Sequence, residues 1–475
     1  MTIPQFFRLL KQKFPFEPTS KQLVVLEQLS KFVLENNTDE IYMLKGFAGT
    51  GKTSIIGTLV SNIWEVKKSV VLMAPTGRAA KVISNYSGKE AFTIHKKIYF
   101  PKKDRSGGVK FVLQPNKHRN TIFIVDEASM IPDNANESKI FENGSLLEDL
   151  VHYVYSGFKC KLILIGDTAQ LPPVKSDLSP ALDKEQLEWK FNKKVLGLEM
   201  DEVVRQEMDS GILINATEVR EVLFSNDYSS FKFNLNGFKD IVRLIDGHEI
   251  LDALNEAYSD EGYEETTIIV RSNKRANLYN QQIRSRILYN ENELSAGDQL
   301  MVVKNNYFWI KPTTEAGFIA NGDIIEVLEI YEFKELYGFK FARVKVKMVD
   351  YPRMRPFETV LLLNTLTSES PSLSYEESNS LYQEVFKDYA DEASNYRKFL
   401  KIKRNEFFNA LQVKFSYAIT CHKSQGGQWE IVFVEQPYLP NGVDREYLRW
   451  LYTAITRAKN KLYLIGFKDE YFVFH

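Results

Sequence analysis

The stretch Lys45-Gly46-Phe47-Ala48-Gly49-Thr50-Gly51-Lys52-Thr53-Ser54 follows directly on the apolar run Ile41–Leu44. Gly46 and Gly51-Lys52-Thr53 fit the spacing G-x-x-x-x-G-K-[ST], in which glycines let backbone N–H groups close round phosphates. In that pattern the lysine reaches the outer phosphate oxygens and the threonine hydroxyl meets Mg²⁺. The apolar residues Ile55 to Val60 come next, and a helix starting there would place its N-terminal dipole on the same anion. A chance glycine-rich loop lacks this order of strand, loop and helix, so Gly46 to Ser54 are read as the lining of a nucleoside-triphosphate site. Asp126-Glu127 ends a second apolar run, Ile122–Val125. Facing a phosphate loop, two such carboxylates divide into an Asp for hydrated Mg²⁺ and a Glu that polarises the attacking water. Without that loop they would read as a turn. Gln170, after Leu162–Ile165, is a neutral amide able to touch a γ-phosphate, and Pro172-Pro173 fix the backbone behind it.

Other residues have two readings each. Gln22 is either an amide that donates to and accepts from one purine edge or a solvated glutamine at a helix start that Thr19-Ser20-Lys21-Gln22 caps. Pro75, Thr76 and Arg78, and later Thr93 and His95, supply hydroxyls, helix-start amides and cations suited to a phosphodiester backbone. The plainer reading is a helix N-terminus with Arg78 as a surface charge. From His95 to Asn120, eight lysines and arginines face only Asp104, a formal charge of +7 in a chain of net charge −1. Lys97–Phe100 and Val109–Leu113 flank Arg105-Ser106-Gly107-Gly108, which predicts a β-hairpin. Phe100 and Phe111, if exposed on it, would make a wedge for a duplex. A charge run of this kind is otherwise a solvated face.

The elements that position these residues follow from the hydrophobic pattern. Ile41–Leu44, Val70–Met73, Ile122–Val125 and Leu162–Ile165 are continuous apolar runs separated by helical stretches, the mark of a parallel sheet covered on both faces. Ligands of such sheets gather at the carboxyl ends of the strands. Thr267–Val270, Ile431–Val434 and Leu462–Ile465 supply strands for a second parallel sheet, and the β-rich interval from 298 to 365 predicts a small barrel. Residues 369–392 are acid-rich and Arg397 to Arg404 basic, the pattern of exposed helices. With 44% apolar and 26% charged residues the chain reads as globular. Its near-zero net charge confines any nucleic-acid partner to a local basic groove. Cys160 and Cys421 lack C-x-x-C spacing and read as reduced thiols. Six dispersed histidines argue against a metal cluster. No run of about 18 apolar residues occurs, so a cytoplasmic protein without a membrane partner is expected.

The order GFAGTGKTS, APTGRAAK, VDEASM and GDTAQLPPV resembles the first lobe of superfamily 1 helicases of the RecD and Dda type. Leu171-Pro172-Pro173 stands where the UvrD-like branch carries a base-stacking aromatic, which favours the RecD-like branch, superfamily 1B. Tyr417 to Gly427 resembles the fifth motif, giving Thr420, His422, Lys423 and Ser424 as strand contacts, and Leu451 to Lys459 resembles the sixth. The resemblance makes Arg205 and Arg457 arginine fingers reaching ATP from the second lobe. It implies two RecA-like parallel-sheet domains, the first at 1–95 and 120–200 and the second at 201–297 and 405–475. The basic hairpin at 96–119 would be a pin, and 298–404 an SH3-like barrel insertion with a charged helical segment. The implied cofactors are ATP and Mg²⁺, with Thr53 and Asp126 on the metal. The implied partners are single-stranded DNA and duplex junctions, and the implied activity is monomeric 5′–3′ translocation with unwinding. An RNA helicase of the same build and a nucleotide-switched binding module are the rival readings, the second weakened because a switch needs no pair of fingers.

Overall fold

The computed structural model describes residues 1–473 apart from 104–108, 134–144, 175, 203, 205–209, 226, 229–230, 312–313, 315 and 393; the side chains of 101–103, 109–110 and 395 are also left aside. The fold belongs to the α/β class. In the first lobe, among these residues, β1 (Glu40–Gly46), β2 (Ser69–Ala74) and β3 (Ala91–Thr93) precede a hairpin of β4 (Tyr99–Lys103) and β5 (Val109–Leu113). Next come β6 (Thr121–Val125), β7 (Lys161–Gly166) and β8 (Lys194–Met200). The sheet order is β3-β2-β6-β7-β1-β8, and every pairing is parallel. Each of the four expected runs is a strand, and β3 and β8 are additions at the two edges. Because β6, β7 and β1 are adjacent, the loops that leave their carboxyl ends emerge side by side, and these carry Asp126-Glu127, Gly166–Gln170 and the glycine-rich stretch.

Helices cover both faces. In Ser20–Leu34, Val25, Leu26, Leu29, Phe32 and Val33 are buried at helical spacing, and Phe32 meets Tyr42 of β1 with ring centroids 5.5 Å apart. The hairpin begins at Tyr99 because Ile94–Ile98 is a helical turn capped by the Thr93 hydroxyl. Its strands pair Phe100 with Val112 and Pro101 with Phe111, and the expected turn, Arg105 to Gly108, lies outside the described residues.

The second lobe pairs β9 (Ile241–Leu244) and β10 (Thr266–Val270) with later strands. Between them β11 (Gln299–Val302), β12 (Ile324–Leu336), β13 (Phe339–Met348), β14 (Phe357–Leu362) and β15 (Leu411–Phe415) close a barrel. Then β16 (Ala418–Thr420), β17 (Trp429–Glu435) and β18 (Ala458–Ile465) complete a parallel sheet of order β16-β10-β17-β18-β9. The barrel draws its last strand, β15, from beyond residue 404, where the insertion was expected to end. Val327, Val344 and Val413 of the barrel share one apolar core with Ile268 and Phe433 of the sheet. The charged segment forms helices Tyr375–Lys387 and Asn395–Ile402, whose Leu381, Val385 and Ile402 are buried against Phe341 and Leu362 on the barrel's flank. The acidic and basic residues are thus the outer faces of amphipathic helices. Cys160 and Cys421 are buried free thiols. Among the described residues no helix is long and apolar enough to cross a membrane.

Candidate nucleotide site and strand track

The glycine-rich loop turns from β1 into helix Lys52–Asn62 through Gly51, whose φ of +82° is left-handed backbone that favours glycine. A Cβ there would also stand 2.5 Å from Nε2 of Gln22. That contact reflects what Gln22 does. Its Nε2 donates to the Thr50 carbonyl at 3.1 Å, and its Oε1 accepts the Thr19 N–H at 2.9 Å, completing the capping box of its helix. Gln22 is 2% exposed and each end of its amide already makes one bond inside the protein, which is the helix-start role; one N–H and one oxygen lone pair are left over for any further partner. Thr50 is likewise buried, its hydroxyl donating to the Phe47 carbonyl. Lys52 Nζ donates to the carbonyls of Gly46 and Phe47 at 2.6 and 2.8 Å. The Phe47 ring turns away into the second lobe, under the guanidinium of buried Arg220 at 4.4 Å and beside Phe224.

Asp126 and Glu127 leave β6 together. Asp126 accepts from the Tyr86 hydroxyl at 2.8 Å and from the Glu127 N–H at 2.8 Å. Glu127 sits at φ +53°, a position rare for a residue with a Cβ and so a place where strain gathers at a site. Burial pushes its carboxyl above the usual range, Arg457 opposes this most strongly, Asp126 and Asp167 add to it, and Lys52 opposes it. Arg457, from the second lobe, stands with Nη1 3.8 Å from Glu127 Oε1 and is 3% exposed. It is aimed by bonds from Nε to the Thr453 carbonyl (2.9 Å) and from Nη1 to the Gly427 carbonyl (3.3 Å). Gln170 is buried, and its Oε1 has no partner among the described residues. Lys52, Thr53, Asp126, Glu127, Gln170 and Arg457 all line one cavity of about 560 Å³ between the lobes. Arg205 lies outside the described residues; Val204 donates its N–H to the Gly49 carbonyl at 3.0 Å.

Sequence reasoning missed Tyr452. Its hydroxyl donates to Asp167 Oδ2 at 2.7 Å and accepts from the Ala48 N–H at 2.9 Å. One residue on, Thr453 Oγ1 accepts from the Leu171 N–H, and Gln425 donates to the Leu171 carbonyl. Helix Arg445–Ile455 therefore bonds to two of the three loops that surround the cavity. Tyr452 lay inside a stretch already singled out, but its reach across the lobes has no local signal.

The expected strand contacts divide in two. Thr76 caps helix Gly77–Ser87 and accepts from Ala79 at the end of β2, next to half-buried Pro75. His422 is exposed, Thr420 is half-buried, and Lys423 bonds Asn321 in the connection between β11 and β12 of the barrel, its ammonium pushed down to about 8 by burial. Thr93 and Ser424 are buried, with their hydroxyls bonded inside the protein. Burial pushes His95 down to about 4, which keeps its ring neutral. Arg78 lies 3.9 Å over the Trp429 ring. Phe100 is 39% exposed, whereas Phe111 is 7% exposed, its ring 4.4 Å from Tyr307. The exposure expected of Phe111 is corrected: it anchors the hairpin to aromatics that follow β11, and Phe100 alone of the two rings faces outward.

Two parallel sheets that share a phosphate loop, a carboxylate pair and an arginine offered from the opposite lobe define a two-lobed nucleoside triphosphatase. Two family models match: an AAA domain over residues 31–176 and a UvrD-like helicase C-terminal domain over 415–465. The ATP-dependent DNA helicase dda of Enterobacteria phage T4 is 24% identical, over 89% of this chain and 93% of its own. RecBCD enzyme subunit RecD of Buchnera aphidicola is 25% identical, over 91% of this chain and 71% of its own. A crystal structure of Pif1 helicase from Bacteroides matches with a TM-score of 0.47 at 14% identity, covering 96% and 94% of the two chains. In its sequence matches and motif order the chain is similar to superfamily 1B helicases of the RecD-like and Dda-like kind, and these relatives support an enzyme of the ATP-dependent DNA helicase class.

Proposed function

We propose that this protein couples ATP hydrolysis to 5′–3′ movement along single-stranded DNA and separates duplexes at a junction, acting as a monomeric cytoplasmic motor. The observation that carries the reading is the approach of Arg457 to Glu127, 3.8 Å across the cavity between the two sheets. An arginine supplied in this way is worth about 10³–10⁵ in rate for related phosphoryl transfers, so hydrolysis is tied to how closely the lobes meet. Lys52 and the backbone of Gly46 to Ser54 hold the phosphates, Glu127 orients and polarises the attacking water, and Gln170 offers its Oε1, unpartnered among the described residues, at the same wall. Thr53 and Asp126 are hard oxygen donors beside the phosphate loop and fit Mg²⁺, which when bound neutralises phosphate charge. Arg205 is proposed as the companion of Arg457. The strand runs over Pro75–Thr76 and the Thr420–Lys423 loop, and the polarity follows from the resemblance to RecD-like and Dda-like helicases. Phe100 on the hairpin is the residue that meets the junction.

The test is a single-turnover unwinding assay on duplexes with a 5′ or a 3′ tail, run beside ATPase measurements with DNA and RNA strands. Unwinding from 5′ tails with DNA-stimulated turnover is expected. Stimulation by RNA alone would shift the substrate class, and turnover without strand separation would leave a switch in place of a motor.

A further inference from the structure

The first turn of helix Gly77–Ser87 lies against the loop Gln425–Trp429 of the second lobe. Gly426, at φ +72°, is so close that a Cβ would come within 2.7 Å of Ala79 Cβ and 3.1 Å of Thr76 Oγ1. At Gly427 a Cβ would stand 2.7 Å from the Trp429 ring and 2.9 Å from both Cδ and Nε of Arg78. The paired glycines thus allow Arg78 to reach across the lobe boundary and lay its guanidinium over the Trp429 ring, 3.9 Å from the centroid. This clasped loop is also what aims Arg457. Gly427 offers its carbonyl to Arg457 Nη1 at 3.3 Å, and the Trp429 N–H donates to the Arg457 carbonyl at 3.0 Å. Asp350, at the end of the barrel's β13, and Glu264 and Glu265, ahead of β10, surround the Arg78 charge, and Lys81 pairs with Asp350 at 3.6 Å. Three carboxylates beside a guanidinium whose face is covered by an indole repel a phosphodiester from that spot.

We infer that Arg78 is a positioning residue for Arg457: it clamps Gly427 and Trp429 so that the Gly427 carbonyl holds the Arg457 guanidinium toward Glu127. The inference rests on the reading of Arg457 as the arginine that completes the ATP site. Arg78 thereby leaves the set of strand contacts, and the helix capped by Thr76 becomes mechanically joined to the loop that sets Arg457.

The experiment measures steady-state ATPase with and without saturating oligodeoxythymidylate, and oligonucleotide affinity by anisotropy, for Arg78→Lys, Trp429→Leu, Trp429→Phe and the Arg78→Lys/Trp429→Leu pair. Lysine keeps the charge and loses the planar stack. Arg78→Lys is expected to lower kcat roughly tenfold in both conditions. KM for ATP and oligonucleotide affinity should stay within about twofold, the pattern of a group that acts after binding. Trp429→Leu should reproduce the loss, Trp429→Phe should restore most of it, and the pair should lose no more than either single change. Thermal unfolding of each variant identifies a folding defect, and Trp429→Phe, which keeps an aromatic ring, carries the test should Trp429→Leu misfold. Weaker oligonucleotide binding with normal kcat at saturation would return Arg78 to the strand, and losses that multiply in the pair would break the link to Trp429. Either result overturns the inference. Arg457→Lys is the separate control: if it keeps full kcat, the reading of Arg457 fails, whereas a slow Arg457→Lys beside a normal Arg78→Lys strikes only the clasp.

Discussion

The hydroxyl of Tyr452 donates to Asp167 at 2.7 Å, joining the second lobe to the loop that carries Gln170, and the same oxygen accepts the Ala48 N–H of the phosphate loop. Tyr452→Phe leaves a buried carboxylate oxygen and a loop N–H without this partner, a loss of about 1–3 kcal/mol. The variant should unfold at lower denaturant with an unchanged m-value, and its kcat should fall because the lobes no longer meet at a fixed distance. Wild-type stability together with wild-type kcat would show that the bridge has no part in either.

Lys52→Ala and Glu127→Gln separate binding from chemistry. The first should lose ATP affinity and hydrolysis while melting like the wild type, since among the described residues Lys52 bonds to the loop carbonyls of Gly46 and Phe47 and has no core contact to lose. The second should trap bound ATP and slow hydrolysis by roughly 10²–10⁴. Filter binding of labelled ATP beside single-turnover hydrolysis reads both.

Turnover should also depend on pH through Glu127. Burial raises its pKa, and a general base works only when deprotonated, so kcat falls on acidification from a higher pH than an ordinary carboxylate near 4.3 would give. A flat profile down to pH 5 would contradict the role.

Asp323 predicts a pH dependence of stability. It is 1% exposed, its Oδ1 has no partner among the described residues, and burial pushes its carboxyl up to about 8. Between the unfolded value near 4 and the folded value near 8 the native state binds the extra proton, so stability falls as pH rises through that window. Asp323→Asn should flatten the slope and melt above the wild type at pH 8.5, and denaturant titrations at pH 5 and 8.5 check the sign.

The two hairpin rings should behave differently. Phe100→Ala should cost unwinding roughly 1–3 kcal/mol if a base rests on that ring, with strand-stimulated ATPase retained. Phe111→Ala should instead destabilise the protein by about 3–5 kcal/mol, because its ring fills the contact with Tyr307. Equal losses of ATPase and unwinding in Phe100→Ala would remove the wedge.

What the sequence made legible was whatever chemistry or periodicity packs into a few adjacent residues. The loop Gly46–Ser54, the pair Asp126-Glu127 and the apolar runs of β1, β2, β6 and β7 needed no knowledge of distant partners. Edge strands were less visible: only Val195 and Met200 of β8 are buried, and β3 is three residues long. Contacts that depend on long-range partners left no local signal. The stack of Arg78 on Trp429 is invisible beside Pro75-Thr76 in the sequence, and Phe111 reads as a wedge until Tyr307 and Phe318 cover it. Gln22 was half legible, since Thr19-Ser20-Lys21-Gln22 announced a helix start while the bond to Thr50 came only from the fold.

The barrel's closing strand, β15, passes within two residues into β16 of the second sheet, and Tyr417 between them belongs to both. Its hydroxyl donates to Asp298 and accepts the Gln299 N–H, while its carbonyl accepts the Ile268 N–H of β10. The barrel is therefore not a cassette that can be lifted out or swapped at residues 298 and 404. A deletion between those points would strip β15 of its neighbours and expose Leu411, Val413 and Phe415, all buried in the intact protein. A grafted barrel from a relative would have to bring its own last stave and the tyrosine that fastens it, so recombination has far fewer seams here than the linear order of the chain suggests.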